Sequence, residues 1–124
     1  MKQALLLFAH GARDPRWAAP FEEVARRVAA QSPGVEVALA YLDLMAPTLT
    51  EAGRALADAG CGDVAVVPMF LGTGGHVRND LPRFVDELRR LHPQVRWRLQ
   101  PPIGEVDSVM QAMADAALAR LAME

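Results

Sequence analysis

The chain predicts a three-layer αβα fold of the α/β class, with a small parallel sheet of about four strands. Two observations carry this. Short apolar runs of strand length alternate with stretches of helical periodicity from end to end. Parallel strands need crossover helices, so a β-α-β-α-β-α-β-α order implies a sheet covered on both faces. At 124 residues, without a linker, short repeat or low-complexity tract, residues 1–124 read as a single domain.

Each element has its own signal. Residues 2–9 form a continuous apolar run with a loop directly after it, the mark of a buried strand. Residues 16–30 read as a helix: Asp14 is its cap, and Phe21, Val24, Ala25 and Val28 share one face. Ser32-Pro33-Gly34 breaks it. Residues 35–42 are the second strand. Pro47 or Thr48 opens the second helix, Leu49, Ala52 and Leu56 point inward, and Gly60 stops it. Residues 64–71 are the third strand. Pro68 fits poorly inside a central strand, so either the strand bulges there or pairing ends early. The third helix is expected over residues 79–91, with Pro82 in its first turn and Leu81, Phe84, Val85 and Leu88 facing inward. Residues 94–99 form a weaker fourth strand, and residues 101–104 a linker. The last helix spans residues 105–123, with Val106, Val109, Met110, Met113 and Ala117 on one face. A four-stranded sheet leaves apolar surface, and this alanine- and methionine-rich helix is a candidate dimer face.

Composition excludes several function classes. The net charge of −2 leaves no electrostatic footprint for nucleic acid. No apolar run reaches the roughly 18 residues needed to span a bilayer, so no membrane association is expected. The short run after Lys2 is interrupted at His10 before any cleavage-like site, which points to a cytoplasmic protein. The single cysteine, Cys61, forbids an internal disulfide and any multi-cysteine metal site, and reads as inert. His92, at a helix end, reads as structural.

The chemistry concentrates at two loops. His10 directly follows the first strand, and Gly11 beside it permits close approach. His76 follows Gly72, Gly74 and Gly75 after the third strand. In one parallel sheet both would emerge at the carboxyl edge, where open α/β sheets bind ligands. Two imidazoles there can bind divalent iron, cobalt, nickel or zinc, and each can accept a proton near neutral pH. Two protein ligands leave positions open, as suits a metal handed onward more than a structural one. Asp43 ends the second strand and faces the same region. Arg13 and Arg78, with Arg16 beside them, can hold carboxylates. Gly74 and Gly75 either make a flexible turn or make room for a large flat ligand.

Ala9-His10-Gly11-Ala12-Arg13-Asp14 resembles the His-Gly-Ser-Arg-Asp opening of the small sirohydrochlorin chelatases. Residues 67–82, from Val67-Pro68-Met69-Phe70-Leu71 through Gly72-Thr73-Gly74-Gly75-His76 to Leu81-Pro82, resemble their second signature. Tyr41-Leu42-Asp43-Leu44 and Pro102-Ile103-Gly104 are similar to two further signatures, in the same order. The resemblance implies half of a class II chelatase fold, working as a homodimer. It implies insertion of a divalent metal substrate (cobalt, iron or nickel) into sirohydrochlorin or a related tetrapyrrole, with no permanent cofactor. It maps the family's metal-site histidines onto His10 and His76, and its acidic residue, usually Glu, onto Asp43, one methylene shorter. Two further readings stay open: a non-catalytic metal or tetrapyrrole carrier, and phosphoryl transfer by a phosphohistidine. Histidine phosphatases carry Arg before their histidine, where this chain has Ala9.

Overall fold

The computed structural model describes residues 1–72 and 74–123, apart from the His76 side chain. Four strands form one parallel sheet: β1 (Lys2–Ala9), β2 (Glu36–Tyr41), β3 (Cys61–Pro68) and β4 (Arg96–Leu99), in the order β2-β1-β3-β4. The helices are α1 (Ala19–Gln31), α2 (Leu49–Asp58), α3 (Gly75–Leu91) and α4 (Asp107–Ala119). The connection through α1 runs one way across the sheet, and those through α2 and α3 run the other. Right-handed crossovers therefore put α1 on one face and α2 and α3 on the opposite one. Direct packing of α2 against α3 agrees.

The side-chain alternation of the strands divides the core. Ala4, Leu6 and Phe8 of β1 and Val64 and Val66 of β3 face α2 and α3, where they meet Leu56, Leu81, Val85 and Leu88. A smaller cluster of Ala9, Ala18 and Tyr41, with Trp17 and Phe21 against it, lies on the α1 side.

Several boundaries differ from expectation. Asp14 caps a 3-10 turn, Pro15–Ala18, by accepting from the Arg16 amide at 2.9 Å, and α1 begins only at Ala19. Strand β3 starts at Cys61, three residues early, because Cys61 and Asp63 pair with Lys2 and Gln3. It ends at Pro68: the proline, without an N–H, sits where pairing stops. Helix α3 begins at Gly75, not residue 79, so Pro82 lies inside it. Val77 explains this, since it packs on the main core and packing holds the added turn. The expected linker contains a second 3-10 turn, Ile103–Glu105. The expected inner face of α4 is only partly covered: Val106 and Val109 are half-buried, α4 has no fully buried residue, and Met110 and Met113 are exposed. Among the described residues no helix is long and apolar enough to cross a membrane.

Candidate functional site

The direction of the crossovers creates the site. The chain leaving β1 turns toward the α1 face, while the chain leaving its neighbour β3 turns toward the α3 face. The crevice between them is the topological switch point of the sheet, where ligands of open α/β sheets bind. His10 stands at its β1 side and is exposed. On the β3 side, residues 69–74 lead into α3, whose second residue is His76. His76 thus belongs to the first turn of a helix and not to the glycine loop. Its side chain, and so its distance from His10, lies outside the described residues.

Asp43 is brought beside His10 through the backbone. Its amide donates to the His10 carbonyl at 3.0 Å, and the Leu42 amide donates to the Ala9 carbonyl at 2.9 Å. The Leu42 bond continues the β1–β2 ladder, and the Asp43 bond, on the very next residue, is an added link beyond the strand ends. Gly11 makes the approach possible: its φ is +91°, and a methyl group there would overlap the Asp43 carbonyl oxygen. The exposed Asp43 carboxylate accepts from the Leu44 amide at 2.8 Å. Leu44 follows in the left-handed region at φ 67°, exposed at the same edge.

The arginines divide. Arg16 is held by Asp14 at 2.7 Å, which leaves Arg13 without an ion pair among the described residues. Arg78, on the first turns of α3, reaches Glu105 at 2.8 Å. Residues 102–104 anchor the far side of the site: the Gly104 amide donates to the Phe70 carbonyl at 2.9 Å, and a side chain at Gly104 would overlap the Leu71 backbone. Among the described residues nothing lies within 4 Å of a Cβ built at Gly74 or Gly75. A cleft of about 180 Å³ opens beside the edge on the α2–α3 face, between Phe8, Tyr41, Leu42, Thr48, Phe84 and Glu87.

Two partners of the site were invisible in the sequence. Phe70 stacks on the His10 ring, centroids 4.0 Å apart. Phe70 reads as one more apolar residue of a strand, and the contact exists only across two loops. Glu105 likewise meets Arg78 across 27 positions of sequence. His92 and Cys61 lie away from the edge. The His92 carbonyl accepts from the Trp97 indole at 3.1 Å, and burial pushes the Cys61 thiol up, which disfavours the reactive thiolate. No group of three His, Cys, Asp or Glu suited to a metal forms among the described residues, which exclude the His76 side chain.

The fold and site define an α/β protein with a parallel four-stranded sheet that carries a histidine and a carboxylate at its switch point. The CbiX family model matches residues 4–120, and the chain belongs to that family. It is 33% identical over 116 residues to the sirohydrochlorin ferrochelatase of Bacillus subtilis, covering 91% of this chain and 43% of that one. The CbiX protein from Marinobacter aquaeolei VT8 superposes with a TM-score of 0.87 at 31% identity, covering 98% of this chain and 99% of that chain. The sirohydrochlorin chelatase SirB from Bacillus subtilis subspecies spizizenii, solved in complex with cobalt, gives a TM-score of 0.78 at 28% identity, covering 90% of this chain and 48% of that chain. The chain spans about half the length of the first curated relatives it matches.

Proposed function

We propose that this protein is a metal chelatase that inserts divalent cobalt, iron or nickel into sirohydrochlorin or a related tetrapyrrole, in the cytoplasm and as a homodimer of single-domain chains. The observation that carries the reading is His10 at the switch point with Asp43 bonded to its backbone, at the sheet edge from which neighbouring β3 leads on to α3. The metal is a substrate, and no resident cofactor is required. Relatives named for cobalt and for iron support the metal class.

The chemistry follows from what insertion demands. As the ion enters the macrocycle, two pyrrole nitrogens must each lose a proton. His10 and His76 in neutral form bind the incoming ion through nitrogen lone pairs and accept protons once it has left them. The Asp43 carboxylate offers negative charge for the ion and a second proton acceptor. Arg13 pairs with peripheral carboxylates of the tetrapyrrole by charge-assisted bonds, and Arg78 does so by exchanging Glu105 for substrate. Gly74 and Gly75 let the flat ring come close, which agrees with the open space around both. Rate comes from positioning ring and ion together.

The homodimer reading rests on α4. Leu118 of α4 and Leu121 in the turn after it are 64% and 86% exposed, Met110 and Met113 of α4 are exposed as well, and a second copy can cover them. The relatives about twice as long agree with two such units acting together.

Insertion is followed by the absorbance change of the tetrapyrrole with cobalt, nickel or ferrous iron. His10→Ala and His76→Ala should each lower kcat/KM at least about a hundredfold with metal below saturation. Full activity in either variant removes that residue from the site. Stoichiometric binding without turnover in the unaltered protein identifies a carrier instead.

A further inference from the structure

Phe70 is buried to 1% exposure, yet one of its faces lies against exposed His10 at the functional edge. The rings are 4.0 Å apart at centroids and 28° from parallel. Behind Phe70 the stack continues inward. Phe8 lies 6.0 Å from Phe70, and Phe84 lies 6.1 Å from Phe8, edge to face. Phe84 belongs to α3, the helix whose first turn carries His76. The Phe70 backbone is pinned by the Gly104 amide. His10 therefore rests on an aromatic cluster rooted in the core.

From this geometry we infer that Phe70 is the positioning residue of His10, setting the plane of its imidazole for metal capture. Ligating histidines are usually oriented by a hydrogen bond from their second nitrogen. A face contact orients the ring differently, because it occupies neither nitrogen. The unprotonated nitrogen can then bind the ion and, once the ion has left, accept a proton. The inference rests on His10 being a metal ligand, as proposed above.

The test uses Co²⁺ alone, without tetrapyrrole. Phe70→Leu should raise the Kd for Co²⁺ about tenfold, the scale seen when a ligand's supporting contact is lost. Phe70→Tyr keeps the ring and should restore most of the affinity. Val85→Ala, a buried change in α3 away from the His10 ring, controls for lost stability and should leave the Kd within twofold. In insertion assays Phe70→Leu should raise KM for Co²⁺ more than it lowers kcat. The unaltered protein provides a measurement that needs no variant: the His10 Cε1–H resonance, assigned with His10→Asn, should lie upfield of its position in urea because of the Phe70 ring current. An unshifted resonance overturns the inference, as does a Phe70→Leu Kd within twofold of the parent or an equal loss in Val85→Ala. A protein that binds cobalt through His10 yet inserts none would refute the chelatase reading and leave this one standing. Undiminished cobalt binding by His10→Ala would remove its premise.

Discussion

Gly11 carries a large share of the site for a residue without a side chain. Its positive φ lets the chain turn directly after His10, and its bare Cα admits the Asp43 carbonyl. Gly11→Ala meets both a backbone penalty and a steric overlap. We expect a loss of at least about 2 kcal/mol in urea unfolding, from left-handed strain plus displacement of the Asp43 loop. Insertion activity should fall further than stability accounts for, since His10 and Asp43 would separate. An active Gly11→Ala enzyme of parental stability would show that the two residues need not be held together. The glycine beside His10 was legible as a point of close approach. What approaches it from inside the protein, the Asp43 carbonyl, lies 32 positions away and depends on β2 pairing with β1.

At the scale of elements, strand pairing is reinforced by charge. Arg98 of β4 donates to Asp63 of β3 at 2.8 Å, and this bond holds the Asp63 carboxyl below its ordinary range. A depressed carboxylate pKa stabilises the fold fully above the unfolded value, near pH 4, and the contribution is lost as pH falls through the folded value. Asp63→Asn should therefore flatten the acid limb of Tm against pH while changing little of the slope above pH 6. An unaltered acid limb would show that this pair does not couple to folding. The sequence periodicity found the four strands and four α-helices but misplaced several starts, those of β3 and α3 by three or four residues. Strand β3 begins early because Lys2 and Gln3 offer pairing partners, and α3 begins early because Val77 reaches the core. Both are decided by neighbours distant in sequence, to which local patterns are blind.

For the whole molecule, α4 sets the question of assembly. Its apolar residues repeat as on a core helix, yet none is buried in its own chain. Sedimentation of the unaltered protein should show a dimer at micromolar concentration. Met110→Asp combined with Met113→Asp should yield monomers of unchanged helix content. A monomeric parent would refute the homodimer, and a dimeric double variant would place the interface elsewhere. A face the periodicity marks as inward, left open by the fold, is the expected signature of a surface completed by another polypeptide.

The alternation of strands and helices, the carboxyl-edge placement of His10 and Asp43, and the family were all readable from the chain. These are carried by local apolar runs and by short motifs whose residues are neighbours in the chain. Folding in three dimensions settles that Asp43 bonds to the His10 backbone, that Phe70 underlies the His10 ring, that Arg78 meets Glu105, and that α4 buries no residue fully. Each depends on which strands lie side by side and which face each crossover takes. Those choices are made by packing the whole chain at once, through contacts between residues that the sequence keeps far apart.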